Sequence, residues 1–217
     1  AKNCSHYLKG ITKKVLISAT SWDVDKTLVF GFNHEEYKAD YDTISYGSCT
    51  VNAYLPFANW INKNYGIINS DVNVVHNIQE YRLSDNNTLI RKFCTLEKSA
   101  VQLLDCINED NFIVNYTVIP YTGVSMIDFR FRVGNNPDRN ELLTNLESAV
   151  TDGVLRDLYG LDEVDIGPEV YNCTRFSTVF IKEGIKCIGD NIYFQGYFDN
   201  ENSVNRFFDL ANYISSQ

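Results

Sequence analysis

The chain has 217 residues, of which 44% are hydrophobic and 13% aromatic, enough for the core of one large domain or two small ones. Its 19 Lys and Arg residues stand against 28 Asp and Glu, a net charge of -9. A protein that binds a phosphate backbone needs the opposite sign, so we expect no nucleic-acid partner. No stretch approaches the roughly 18 apolar residues of a membrane span, so we expect none within this chain.

In the first half, the pattern predicts strands and then a helix. Residues 15–20 and 27–32 are apolar and β-branched, as in strands. Residues 51–65 carry an apolar stripe at helical spacing that ends at Gly66. Pro56 lies inside this stripe and argues against a helix that continues unbroken from its start.

A hairpin and a short helix are predicted next. Residues 72–83 and 89–94 are extended runs on either side of a polar turn, and together they predict a hairpin. Residues 96–107 predict a short helix, for which Thr95 is the expected cap.

The second half begins with a strand over 112–119 and a clearer one over 124–133, where apolar and charged residues alternate. Asn136 and Pro137 are typical of a helix start. The apolar stripe expected on that helix consists of Leu143, Leu146, Val150, Val154 and Leu158. Further extended runs and a terminal helix over 201–214 complete this half.

The order of elements is similar in the two halves. We therefore predict an α+β fold of two packed sheet-and-helix sandwich units with antiparallel sheets, a tandem repeat of one pattern. The first unit spans 1–108 and the second 109–217. The junction is too short for a flexible linker, so the two units are expected to pack on one another.

A family resemblance follows from the second half. The strand, the long helix that ends near Tyr159-Gly160, the β-rich stretch with Phe176–Ile181 and the terminal helix resemble the SEA-type, ferredoxin-like sandwich of extracellular proteins. The resemblance covers residues 124–215 and implies architecture alone, since the Gly-Ser autoproteolysis signature of that family is absent there.

Cysteines and glycosylation sequons favour an oxidising, secretory compartment. The six cysteines are widely spaced and form no Cys-x-x-Cys pair: Cys4, Cys49, Cys94, Cys106, Cys173 and Cys187. We expect no disulfide between Cys94 and Cys106, since a helix separates that pair. If the first half folds as its own unit, Cys4 and Cys49 are the expected partners of Cys94 and Cys106, which otherwise stay free, and Cys173 pairs with Cys187. The predicted N-glycosylation sites are Asn3, Asn86, Asn115 and Asn172. Free buried thiols in a cytosolic protein are the alternative.

Residues for catalysis are sparse. His34-Glu35-Glu36 lacks a second histidine at helical spacing, and His76 is expected on the polar face of a strand. The carboxylates that could pair for acid-base work or calcium are Asp23, Asp25, Asp162, Glu163 and Asp165, in no recognised loop. We expect no catalytic residue, metal or cofactor.

Aromatic residues point instead to a contact surface. Tyr is favoured in interfaces because it offers area at low entropic cost. The candidates, in or near loops of the first half, are Trp22, Tyr37, Tyr41, Tyr46 and Tyr54. The sequence thus predicts a secreted or cell-surface glycoprotein module that binds another protein. A viral or parasite surface antigen and a secreted hydrolase with a dispersed site are the alternatives.

Overall fold

The computed structural model describes residues 1–78, 90–120 and 123–217, except the side chains of residues 200–202. The strands are β1 (Val15–Ile17), β2 (Lys26–Thr27), β3 (Thr43–Ser45), β4 (Ile67–Ile78), β5 (Ile90–Arg91), β6 (Phe112–Pro120), β7 (Ser125–Val133), β8 (Tyr159–Asp162), β9 (Thr178–Ile181), β10 (Lys186–Ile188) and β11 (Asn191–Phe198). The α-helices are α1 (Cys49–Tyr65), α2 (Thr95–Leu103), α3 (Arg139–Thr151) and α4 (Asn200–Ser215), and short 3-10 helices lie at Ser5–Tyr7, His34–Glu36, Pro168–Tyr171 and Lys182–Gly184.

One large mixed sheet organises the molecule. Eight described strands form it in the order β5-β6-β4-β7-β11-β9-β8, with β10 paired to β11. The β4–β6 and β8–β9 pairs are parallel and the remaining pairs antiparallel. Strands β1, β3 and β2 form a separate parallel sheet. The predicted architecture of two antiparallel sandwich units is therefore wrong.

Strand β4 shows why. It belongs to the first half of the chain, yet it lies between β6 and β7 of the second half and pairs with both along most of its length. The sheet thus runs across the predicted boundary between residues 108 and 109, and the SEA-like sandwich of residues 124–215 is not a unit with a sheet of its own.

The alternation predicted over 124–133 is confirmed in β7. Its inward-facing residues are 0–1% exposed: Ile127, Phe129, Phe131 and Val133. They pack beneath α1, α2 and α3 in one apolar core that includes Phe57, Phe180 and Phe194. A two-residue period leaves only one face of a strand available to that core, so the charged residues between them face outward.

Helix α3 begins two residues later than the predicted start. The Asp138 side chain caps it by accepting from the N–H groups of Asn140 and Glu141, at 2.9 and 3.1 Å. Its buried residues are Leu142, Leu146 and Ala149. The expected stripe fails at its end, because the helix stops at Thr151 and Val154 is 73% exposed.

Helix α1 runs unbroken through Pro56, contrary to expectation. A proline removes one backbone donor and pushes its ring against the preceding turn, so nearby backbone groups need other partners. The Tyr159 hydroxyl supplies them: it accepts from the Phe57 N–H at 3.1 Å and lies 2.9 and 3.3 Å from the carbonyl oxygens of Ala53 and Asn52. A buried tyrosine from β8 thus provides hydrogen-bond partners for the backbone of α1 next to its proline.

Strands β4 and β5 do not pair as the predicted hairpin would require. They lie on opposite sides of β6, with β4 parallel and β5 antiparallel to it. The predicted hairpin tip, including Asn86, lies outside the described residues. Among the described helices, none is long and apolar enough to cross a membrane.

Candidate active site

A strand, a tight turn and a helix place Cys49 at the start of α1. Strand β3 ends at Ser45, and Gly47 follows with a φ of 88°, a left-handed conformation that favours glycine. A Cβ at Gly47 would also lie 2.8 Å from the Val51 side chain. The Ser48 side chain then caps the helix by accepting from the Val51 N–H. The thiol of Cys49 is therefore held at the positive end of a helix.

His76 faces this thiol from β4. Its Nε2 atom lies 3.6 Å from the Cys49 Sγ, and its Nδ1 atom lies 2.6 Å from the Asn77 carbonyl oxygen. A carbonyl oxygen can only accept, so Nδ1 carries the proton and Nε2 is left as an acceptor for the thiol. A base within reach of a nucleophile and itself oriented by a third group is the pattern of an activated nucleophile.

Burial keeps the resting thiol neutral. It raises the pKa of Cys49 to about 12, with the neighbouring Cys94 as the second cause, while the N–H groups of Thr50 and Cys49 act in the opposite direction. The thiol therefore depends on His76 to remove its proton when it attacks. The resulting thiolate and imidazolium would stabilise each other.

Aromatic rings and hydroxyl groups surround the pair. The rings of Tyr116 and Phe198 each lie 5.6 Å from the His76 ring, between centroids. The Ser48 hydroxyl lies 3.2 Å from the hydroxyls of both Thr50 and Thr95. The site thus combines apolar walls with hydroxyl groups that can bind a polar substrate.

The disulfide framework predicted from the sequence is wrong. All six cysteines lie in the described part of the chain and are free thiols. Neither Cys94 nor Cys106 is bonded to Cys4 or Cys49, and Cys173 is not bonded to Cys187; Cys94 and Cys106, at opposite ends of α2, are not bonded to each other either.

The aromatic candidates do not gather on one surface. Tyr54 is fully buried in the main core, and Tyr46 is 6% exposed. Tyr37 and Tyr41 pack partly buried against a smaller cluster that includes Tyr46, whereas Trp22 is 46% exposed beside the Lys98 ammonium. The protein partner, the lack of a nucleic-acid partner and the sequons at Asn3, Asn115 and Asn172 stay predictions.

The carboxylates considered from the sequence serve local structure. Asp25 accepts from the backbone N–H groups of Asp42 and Thr43, and Asp165 accepts from the Tyr197 hydroxyl. Within the described ranges, no group of three His, Cys, Asp or Glu side chains gathers as a metal site.

Sequence reasoning missed the Cys49–His76 pair, although signals for both were present. Val72, Val74 and His76 alternate along β4, which places the histidine on the core face and not on the polar face. Ser48 before the helical stripe marks a helix start one residue before Cys49. Nothing local, however, indicates that the two elements meet.

Comparison with known proteins supplies an independent line of evidence. No family model matches the chain. It is 28% identical over 226 residues to glyceraldehyde-3-phosphate dehydrogenase 1 of Bacillus cereus, covering 97% of this chain and 67% of the relative. It is also 28% identical to the cytosolic glyceraldehyde-3-phosphate dehydrogenase of Pisum sativum and 27% identical to cytosolic enzyme 3 of Zea mays, covering 97% of this chain and 66% of each relative. The chain thus spans about two thirds of the length of these relatives.

These similarities correct the predicted function. The relatives are named dehydrogenases, so the prediction of a non-catalytic adhesion or receptor-binding module is wrong, as are its surface-antigen and secreted-hydrolase alternatives. Two of them are named cytosolic, which overturns the predicted secreted or cell-surface location. Over nearly its whole length, this chain is similar to glyceraldehyde-3-phosphate dehydrogenases.

Proposed function

We propose that the chain carries the catalytic thiol of an aldehyde dehydrogenase that acts on glyceraldehyde 3-phosphate or a similar aldehyde. The contact between Cys49 Sγ and His76 Nε2 at the start of α1 is the observation that carries the proposal. The names of the relatives support the substrate, and two of those names support the cytosolic location that we also propose.

The first chemical step follows from the geometry. His76 Nε2 takes the thiol proton as the Cys49 sulfur attacks the aldehyde carbon. The carbonyl π pair moves to oxygen, where the imidazolium returns the proton and a neutral thiohemiacetal results. Backbone N–H groups in the first turn of α1 favour the negative charge that develops on that oxygen.

The substrate phosphate has candidate partners beside the thiol. The hydroxyls of Ser48, Thr50 and Thr95 form a connected group and can donate to phosphate oxygens. Their position at the N-termini of α1 and α2 also suits an anion.

Oxidation of a thiohemiacetal to a thioester requires a hydride acceptor, and a nicotinamide dinucleotide is the group that the name of the relatives implies. The 217 residues contain no Gly-x-Gly-x-x-Gly fingerprint. The turn between β3 and α1 has one glycine, Gly47, and the Ser48 side chain already accepts from the Val51 N–H. These residues do not form a pyrophosphate cradle, so the chemistry that the described residues support ends at the thiohemiacetal.

Alkylation of the intact chain tests the pair. We expect iodoacetamide to label Cys49 at neutral pH despite its burial, because His76 can take the thiol proton, and the aldehyde substrate to protect it. His76→Asn should slow labelling by about 10²-fold or more, the scale of general-base catalysis. Cys106→Ser is the matched control and should leave the rate unchanged.

Equal labelling rates in the wild type and His76→Asn would contradict the role of His76. A substrate assay with glyceraldehyde 3-phosphate and added nicotinamide dinucleotide then tests the dehydrogenase assignment. Turnover that survives in Cys49→Ser would contradict the thiol mechanism.

A further inference from the structure

A second thiol lies beside the site and takes no part in the proposed chemistry. Cys94 immediately precedes α2 and is 4% exposed. Its Sγ lies 3.5 Å from the Thr50 Oγ1, and Thr50 directly follows Cys49 in α1. The two cysteines therefore occupy the adjoining N-termini of two packed helices.

Other contacts locate Cys94 against the same few residues. The Thr95 hydroxyl donates to the Ser48 hydroxyl at 3.2 Å, so the residues after Cys94 and before Cys49 also touch. Burial raises the pKa of Tyr116, and the charges that Cys49 and Cys94 carry when ionised act in the same direction; the Tyr116 ring lies 5.6 Å from that of His76. Cys94 is also the first cause after burial that raises the pKa of Cys49.

Other cysteines are less suitably placed. Cys106 lies beyond the far end of α2, and the nine residues of that helix span roughly 14 Å. One turn into α1 from Cys49, where a thiol would lie on the same face, the residue is Ala53. Cys94 is thus the thiol that packs beside Cys49.

We propose that Cys94 is a resolving thiol, which forms a reversible bond to Cys49 after a hydroperoxide oxidises Cys49. This bond differs from the structural disulfides expected from the sequence, because both sulfurs are free thiols in the folded chain. The proposal requires a reactive Cys49 but does not require that the protein oxidise an aldehyde.

The sulfur chemistry balances in two steps. With hydrogen peroxide, the Cys49 thiolate attacks one peroxide oxygen, the O–O bond breaks, and a sulfenic acid and water form once the proton held by His76 reaches the leaving hydroxide. The Cys94 sulfur then attacks the Cys49 sulfur, the S–O bond breaks, and a second water leaves with the Cys94 proton. The two thiols lose two electrons in total, and the peroxide accepts them.

This bond would shield the nucleophile. A sulfenic acid with no thiol nearby reacts with further peroxide to a sulfinic acid, which ordinary thiols do not reduce. A bond to Cys94 stops that reaction and is reversed by a dithiol. It also withholds Cys49 from alkylation until it is reduced.

Intact mass and peptide mapping test the proposal on the full chain. After treatment with about one equivalent of hydrogen peroxide, we expect the wild type to lose about 2 Da and to yield a linked Cys49–Cys94 peptide. Cys94→Ser should instead gain about 16 or 32 Da at Cys49. Dithiothreitol should restore alkylation of Cys49 fully in the wild type and incompletely in Cys94→Ser.

Two controls keep the result interpretable. Cys106→Ser should behave as the wild type, and Cys94→Ser, whose hydroxyl can replace the thiol beside Thr50, should retain the wild-type circular dichroism spectrum. If Cys94→Ser does not fold, the linked peptide in the wild type and Cys106→Ser decides the question. Two results for the wild type would overturn the proposal. One is a mass gain from oxygen at Cys49 in place of the expected mass loss, and the other is a link from Cys49 to another cysteine.

Discussion

The two faces of the large sheet use side chains in opposite ways. The inner face, under α1, α2 and α3, is filled by rings such as Phe129, Phe131 and Phe194, and the Tyr159 hydroxyl among them is bonded to backbone atoms of α1. On the outer face, β7 presents Arg130 and Arg132, which pair with Asp71 on β4 and with Asp190 in the turn between β10 and β11. A single strand can therefore contribute to the core and to a charged network at once, because its side chains alternate.

The strongest test of this contrast is Phe129→Asp. Phe129 is 1% exposed and contacts the rings of Tyr54, Phe57 and Phe180. Removing a buried ring costs about 3–5 kcal/mol, and an unpaired buried carboxylate adds several more. We expect no cooperative thermal transition, whereas Phe129→Leu should retain one. A folded Phe129→Asp protein would show that the inner face tolerates charge.

Tyr159→Phe probes the polar exception on the inner face. Losing the hydroxyl leaves the Phe57 N–H and the Ala53 carbonyl without this partner, and we expect a loss of about 1–3 kcal/mol in urea unfolding. With Pro56→Ala in the background, the helix can form its own hydrogen bonds, so the same substitution should cost less. An equal loss of stability in both backgrounds would show that the Tyr159 hydroxyl does not compensate for Pro56 in α1.

Arg130→Asp should lower the free energy of unfolding by about 1–2 kcal/mol, more than the same substitution at a freely exposed arginine would. The guanidinium pairs with Asp71, which lies directly opposite on β4, and donates to Asn69 and Asn191 at 3.0 and 2.9 Å. The substitution removes these bonds and sets two carboxylates face to face. The control is Arg132→Asp, whose side chain is 49% exposed, and it should cost less. Equal losses in urea unfolding would mean that the network adds no stability.

The smallest expected effect is at Asp128, also on the outer face of β7. Burial raises the pKa of Asp128, and its Oδ1 has no hydrogen-bond partner. Because the folded-state pKa lies above the unfolded value, this group contributes most stability at low pH, and that contribution falls as pH rises through the folded-state pKa. Asp128→Asn should therefore stabilise the chain at neutral pH by less than about 1 kcal/mol.

Comparing wild type with Asp128→Asn across pH isolates this group from the other carboxylates. The gain in the variant should shrink as pH falls toward 3.8, the ordinary value for the carboxyl. A variant that is less stable than the wild type at neutral pH would show that the charged form of Asp128 is favoured.

Local periodicities could be predicted from the amino-acid sequence alone. The alternation in β7 identified its buried residues, and the stripe ending at Gly66 located most of α1, because both patterns depend only on side-chain geometry along one element. These patterns did not predict which strands are neighbours. Parallel pairing of β4 with β6 joins residues far apart in the chain, and no local signal encodes it.

The candidate site depends on tertiary contacts. Cys49 and His76 are 27 residues apart, on a helix and a strand whose meeting depends on the position of β4 in the sheet. Pro56 removes a backbone donor from α1, and the hydroxyl of Tyr159, from distant β8, supplies hydrogen bonds to the backbone there. The Cys49–His76 contact and the continuity of α1 both depend on residues far apart in the chain. Such contacts form when packing selects one arrangement among the many that local propensity allows.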